Sequence, residues 1–392
     1  MSVHQASPVT LSKAFEGGSL GKVEKLGETV FRCFVEGQHD ERGRNRQASW
    51  YYFRMDGVKD RDMTVTLTDF LGEYNDKPGA CPMNADTIPV YSDDGERWQH
   101  FPTMQWDDAT KEATLKFRPA NDAIWIAHVP PYTHSRLLGL LEQINQSPQT
   151  LVEVIGKTVQ GRYLHLVTVT NFEKPEEGKK TVWLQARQHA WEAGTSYVME
   201  GALRFVTSRD ALAAKLRDQV VFKFTPMMDP DGCAQGKVRF NANGYDVNRH
   251  WNAMDLRRKT LLERMPEIWY VKKAILGWVD SGRKIDLMIN LHNTETSEFL
   301  ETQAADEPTL KMMQGLHEDL ASKSSFDPSD RLRVSATPGS TTNSLYVERK
   351  IPVLLMEQRV GTSKKLGRRP NVQDRLDFGK QLITVMAEKV LR

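Results

Sequence analysis

In three places this 392-residue chain carries a reactive side chain at the end of an apolar, strand-like run. TVWLQAR leads into Gln188-His189-Ala190-Trp191-Glu192, IDLMIN into Leu291-His292, and IPVLLM into Glu357. Active sites of open α/β sheets gather beyond the carboxyl ends of the strands, so this shared placement outweighs any single residue. His189 and Glu192 stand three positions apart, and a tight loop or helix start can aim both at one ion. Imidazole nitrogen and carboxylate oxygen both suit zinc. His292 would complete a two-histidine, one-glutamate set with a fourth position left for water. That is the composition of a catalytic site rather than a closed structural one. One Zn2+ per chain is the expected cofactor. It would lower the pKa of a bound water toward ~7, and Glu357 could serve as general base and pass the proton to a leaving amine.

Each pattern is weak alone. His292-Asn293-Thr294-Glu295 repeats the His-x-x-Glu spacing. A single histidine at a strand end is more often a hydrogen-bonded structural residue, and a single Glu357 more often an ion-pair partner of a neighbour such as Arg359. Residues 225–251, TPMMDPDGCAQGKVRFNANGYDVNRHW, add a strong turn at Asp229-Pro230-Asp231-Gly232, then Arg239, Asn248 and Arg249. A guanidinium beside an amide suits a carboxylate ligand. A loop knotted by its own hydrogen bonds fits that segment equally well.

The elements that must position these groups fall into two regions. Up to about residue 130, short aromatic and β-branched runs (ETVFRCFVEG, SWYYFRM, MTVTLTDFLG, EATLKFR, DAIWIAHV) separated by Asp-Gly turns predict an antiparallel β-sandwich. From 131 to 392, near-continuous apolar strands alternate with helical stretches near 196–217, 259–281, 306–323 and 370–391. This predicts a mixed, mostly parallel α/β domain with helices on both faces. The strands are TLVEVIG, YLHLVTVT, TVWLQAR, QVVFKFT, IDLMINLH and IPVLLMEQ, and SRLLGLLEQINQ is a further helix.

Composition excludes several classes. A formal net charge of +2 argues against nucleic acid as a partner. Three cysteines at long spacings argue against a disulfide framework and fit a reducing compartment. No apolar run approaches the ~20 residues that span a bilayer. The opening MSVHQASPVTLSKAFEGG lacks the apolar core of a signal peptide, so a cytoplasmic protein is expected.

Taken in order, QHAWE, the PDG…R…NGYDVNRHW loop, and the strands ending in LH and ME resemble the funnelin-type M14 metallocarboxypeptidases. FEGGSLGKVE, SWYYFRMDG, PVYSDDGERW and IAHVPPYTHS are similar to the N-terminal domain of the cytosolic carboxypeptidase-like branch. The resemblance runs from about Phe15 to about Gly361. It implies His189, Glu192 and His292 as zinc ligands and Glu357 as base. It implies Arg239 as the group that polarises the scissile carbonyl, and Asn248 and Arg249 as the anchor of a substrate's terminal carboxylate. The substrate would be a peptide or protein C-terminus. Three departures stand out. Ala190-Trp191 replaces the family's Pro-Gly, Asp229 replaces the Asn before the turn, and DRLRVSATPGS has no tyrosine where the family carries a mobile one. Tyr346 lies too near Glu357 to substitute. A zinc amidohydrolase of the same fold, or a degenerate zinc-binding module, are the competing readings. An acidic C-terminal residue would need a cation in its pocket, with Arg331, Arg333, Lys350 and Arg359 as candidates.

Overall fold

The computed structural model describes residues 8–74, 76–335 and 337–392. The first seven residues of the leader reading lie outside that set.

Alternation of buried and exposed side chains builds the N-terminal region. Strands Thr10–Ser12, Tyr52–Asp56, Ala123–Ala127, Val90–Ser92 and Gln99–His100 form one five-stranded sheet. Gln105–Asp107, Glu112–Phe117, Met63–Thr68, Val30–Phe34 and Val23–Lys25 form a second. Phe53, Met55, Val65, Leu67, Leu115, Ile124 and Ile126 fill a shared core, as expected of a sandwich. One pairing departs from an all-antiparallel arrangement: Val30–Phe34 runs parallel to Met63–Thr68. Between these two strands the chain crosses to the other sheet as Tyr52–Asp56, and it returns running the same way.

The second region is built on an eight-stranded sheet. Its order is Thr150–Lys157, Tyr163–Val169, Val220–Thr225, Lys180–Gln185, Leu287–Thr294, Val353–Arg359, Phe299–Thr302 and Arg333–Val334. The four central strands are mutually parallel. Each has both faces buried, which explains why they read as unbroken apolar runs. Along Lys180–Gln185, Val182 and Leu184 pack into one core while Trp183 packs into another. The first core holds helices Ala193–Thr207, Glu307–Lys323 and Val372–Leu391, and the second holds Pro266–Asp280. Two expected helices are broken. The stretch 196–217 becomes Ala193–Thr207 and Ala211–Arg217, the second capped by the Asp210 side chain. The stretch 259–281 divides at Pro266, which can begin a helix but not continue one. Strands Phe299–Thr302 and Arg333–Val334 are too short to announce themselves in sequence. Among the described residues no helix is long and apolar enough to cross a membrane, and Cys33, Cys81 and Cys233 are all unpaired.

The turn after Val220–Thr225 explains one departure noted in the sequence. Asp229 is fully buried and caps helix Pro230–Gln235, its Oδ1 accepting from Gly232 N at 2.9 Å. Its Oδ2 is buried without a partner. Burial, reinforced by Glu267, holds its pKa well above the ordinary 3.8. Burial therefore favours the neutral acid, which is close in shape and charge to the expected Asn. A raised folded-state pKa stabilises fully below 3.8, and that contribution drains away as pH climbs toward the folded value. Asp229→Asn should therefore raise stability at pH 7–8 by on the order of 1 kcal/mol. Denaturant titrations should show the gain shrinking toward pH 4, and a gain that grows toward pH 4 would contradict the assignment.

Candidate metal and catalytic centre

The strand Lys180–Gln185 ends two residues before Arg187, which adopts a left-handed φ of 61°. That turn lifts the chain out of the sheet, and the buried Arg187 side chain fixes it. Its guanidinium donates to Ala190 O (2.6 and 2.9 Å), Tyr132 O (3.1 Å) and Ser196 Oγ (3.0 Å). The next side chains are thereby aimed over the sheet's carboxyl edge. Glu192 occupies the N-cap position of helix Ala193–Thr207 but makes no capping hydrogen bond with its side chain. It turns instead toward two imidazoles.

His189 Nδ1 lies 2.8 Å from Glu192 Oε1, and His292 Nδ1 lies 3.1 Å from Glu192 Oε2. All three side chains are buried, and their donor atoms lie within 4.8 Å of one another. Among the described residues this is the one such cluster of three or more. Zinc with arms of ~2.0–2.1 Å needs tetrahedral ligand atoms about 3.3 Å apart, so a small adjustment would admit the ion. Glu192 Oε2 has no hydrogen-bond partner, an expensive state for a buried carboxylate that a cation would relieve. The residues present therefore fit the metal.

The far side of each imidazole is held as well. His189 Nε2 sits 3.2 Å from Asp246 Oδ1. His292 Nε2 faces Asn290 Nδ2 (2.9 Å) and Gln188 Oε1 (3.1 Å). Such outer contacts set which ring nitrogen is free for a metal. Burial pushes His292 below its ordinary pKa. Burial and Arg239 act the same way on His189, but Glu192 and Asp246 outweigh them and its pKa rises. The two imidazoles hold Glu192 below the usual carboxylate range despite burial.

The second His-x-x-Glu pattern resolves cleanly. Glu295 does not join His292; it lies 3.4 Å from His128 Nε2. Glu357 is the Cα partner of His292 across two parallel strands. Its Oε2 is buried and unpartnered, and burial followed by Glu192 pushes its pKa well above the ordinary carboxylate range. It has no ion pair with Arg359, which binds Thr362 O, Ser329 Oγ and Asp327.

Arg239, Asn248 and Arg249 reach the same cleft of about 390 Å³. Arg239 Nε is paired with Asp246 Oδ2 at 2.8 Å. Its segment is clasped from the N-terminal region by Gln38. Oε1 of that side chain accepts from Val238 N, Arg239 N and Phe240 N, and its Nε2 donates to Phe240 O. Arg249 Nη1 donates to Asn248 O at 2.9 Å, and the guanidinium has no carboxylate partner among the described residues. Asn248 is more committed. Its Oδ1 accepts from Thr341 N and Oγ1, and its Nδ2 lies 3.4 Å from His292 Nε2.

Residues not foreseen complete the site. Asp246 couples His189 to Arg239, and Gln188 and Arg187 shape the strand end. The N-terminal region supplies cleft wall through Arg46, Gln47, Tyr74, Cys81 and Pro82. Tyr74 is the tyrosine in that wall, with Arg239 5.5 Å from its ring centre. Tyr346 is tied to Asp306 Oδ2 at 2.6 Å and stays outside the cleft. Trp191 lines the cleft and packs edge-on against His128.

The cations expected to greet an acidic side chain are a correction. None of Arg331, Arg333, Lys350 and Arg359 lines the cleft. Arg331 is exposed. Arg333 pairs with Asp330 and lies over the Phe299 ring. Lys350 ends helix Thr341–Arg349 and sits over Tyr346, and Arg359 is spent as described. Arg333 alone stays beside the site: the Phe299 ring it covers lines the cleft, and its charge is felt at Glu357.

Comparison with known proteins bears on this geometry. The chain matches the zinc carboxypeptidase family over residues 137–322 and the cytosolic carboxypeptidase N-terminal domain over residues 11–129. It is 28% identical over 309 residues to cytosolic carboxypeptidase 3 of Bos taurus, covering 72% of this chain and 29% of that protein. It is 29% identical over 260 residues to cytosolic carboxypeptidase 6 of Mus musculus, covering 62% of this chain and 46% of that one. The chain thus spans less than half the length of these curated relatives. A metallo-carboxypeptidase from Burkholderia cenocepacia shares the fold, with a TM-score of 0.84 and 24% identity over 98% of this chain and 99% of that one.

Asp246 provides a test of the site that needs no substrate. Asp246→Ala should weaken zinc binding by about 10–100-fold in competition with a chromogenic chelator. Unchanged affinity would show that His189 needs no outer partner.

Proposed function

Because the chain belongs to the M14 zinc carboxypeptidase family, we propose that it removes C-terminal residues from peptides or protein tails. His189, Glu192 and His292 would hold one zinc ion. When bound, zinc supplies a Lewis acid and a water of lowered pKa. The remaining roles belong to side chains. Glu357, buried beside His292 with a free oxygen, takes the proton of the attacking water and delivers it to the leaving amine. Burial favours its protonated form, the form that must hand a proton to the leaving amine. Arg239, oriented by Asp246, donates to the carbonyl oxygen as negative charge grows there, a contribution typically worth about 3 kcal/mol. Arg249, anionic partner absent, binds the terminal carboxylate. Asn248 fixes the guanidinium through its backbone carbonyl, while Thr341 and His292 hold its side-chain amide.

One observation carries this reading: a His–Glu–His donor set, an unpartnered buried carboxylate and an unpaired guanidinium face one cleft. An unpaired guanidinium favours a free terminal carboxylate over an internal peptide segment. We also read residues 1–130 as a domain that narrows the rim and residues 131–392 as the catalytic domain. The cytosol is the compartment proposed, in keeping with the unpaired cysteines.

Two variants test the assignment. Glu357→Gln should keep about one zinc per chain by elemental analysis and lose roughly 10²–10⁴-fold in kcat. An active variant would move the base elsewhere. Arg249→Ala should lower kcat/KM about ten- to hundredfold on free-acid peptides, with a much smaller loss on amidated ones. Equal losses would favour an amidohydrolase that does not read the C-terminus.

A further inference from the structure

Resting on the carboxypeptidase reading of this cleft, we propose that Glu301 makes the site select a C-terminal residue with a cationic side chain, lysine or arginine. Strand Phe299–Thr302 runs antiparallel to Val353–Arg359, with Phe299 opposite Glu357 and Glu301 opposite Leu355. Residues two apart on a strand share a face, and directly opposed residues share it too. Phe299, Glu301, Leu355 and Glu357 therefore form one patch, and all four line the cleft. Glu301 lies one strand-repeat from the position opposite the base, about 7 Å along the strand. That is the reach of one long side chain.

The charges of the cleft leave Glu301 over. Among its cations, Arg46 is spent on Val35 O, Asp69 O, Leu71 O and the Asp69 carboxylate. Arg239 is paired with Asp246, and Arg249 is reserved for the terminal carboxylate. Among its anions, Glu192 faces the imidazoles, Glu357 is the base, and Glu295 lies against His128. The Glu301 carboxylate makes no hydrogen bond or ion pair among the described residues, and its charge is felt at Glu357. The cation nearest in register is Arg333, its Cα partner on the edge strand. That guanidinium lies instead over the Phe299 ring at 3.5 Å and is paired with Asp330.

A substrate ending in lysine or arginine meets every element of this arrangement. Its terminal carboxylate takes Arg249, its aliphatic stem lies along Leu355, and its charge reaches Glu301 on the side away from Arg333. A terminal glutamate would set a like charge against Glu301 in a half-buried pocket.

The test uses the zinc-loaded full chain and peptides that differ only in their last residue: lysine, arginine, leucine or glutamate. The lysine and arginine peptides should exceed the leucine peptide in kcat/KM by about tenfold or more, and the glutamate peptide by more still. Glu301→Gln should bring the lysine-to-leucine ratio close to one, and Glu301→Lys should move the preference to glutamate. Each ratio is internal to one protein preparation, so partial misfolding cannot mimic the result. Release of leucine or glutamate in preference to lysine, or a ratio that survives Glu301→Gln, overturns the role of Glu301 and leaves the carboxypeptidase reading standing. Release of no residue from any peptide overturns that reading and this proposal with it.

Discussion

Glu192 is a buried carboxylate whose Oε2 makes no hydrogen bond and has only the His292 ring, 3.1 Å away, beside it. Such a group is costly unless a cation or donor compensates it. The surrounding structure keeps it available rather than quenching it. Glu192 sits where a residue normally caps its own helix, yet its side chain is turned away from the helix. The helix N-terminus still favours its negative charge. Arg187, in a left-handed turn and tied to three backbone or hydroxyl partners, holds the loop that prevents Glu192 from relaxing elsewhere. Two parallel strands bring His292 to it from more than 90 residues away in the chain. A site of this kind stores its cost in the folded protein and recovers it on binding a divalent ion.

Asp246 extends the same logic outward. One of its oxygens meets His189 and the other meets Arg239, so a single carboxylate orients an imidazole of the His–Glu–His cluster and a guanidinium of the cleft together. Arg239 and His189 in turn hold Asp246 well below the usual carboxylate range despite its burial. The loop carrying this group depends on the N-terminal region, because Gln38 spends its whole side-chain amide on residues 238–240. Gly236 shows how close the two regions lie. Its φ is +64°, and a Cβ there would stand 2.5 Å from Gly18 O. The N-terminal sandwich is thus a structural support of the catalytic loop as well as a wall of the cleft.

The sheet and the clustering of His189, Glu192 and His292 were legible because they rest on local patterns. Unbroken apolar runs mark strands buried on both faces, and a reactive residue at the end of each run marks the edge where a site can form. The same rule drew His189, His292 and Glu357 to one edge, and only the structure sets Glu295 apart by seating it against His128. What sequence could not supply was direction across long separations. Asp246 and Gln38 are ordinary loop residues until their partners arrive. Three of the four cations nominated for an acidic pocket, Arg331, Lys350 and Arg359, failed for the same reason, since a charge in sequence carries no information on which oxygen or ring will claim it. Asp229 shows the opposite case. Its type departs from the Asn expected there, but burial favours its neutral form, which resembles that Asn.

The account stands on one shared metal held by His189, Glu192 and His292. X-ray absorption at the zinc edge of the purified full chain addresses that directly. The account predicts a shell of nitrogen and oxygen only, at ~2.0–2.2 Å, with the outer-shell signature of two imidazoles. A sulfur shell at ~2.3 Å would place the metal on cysteine and contradict the site.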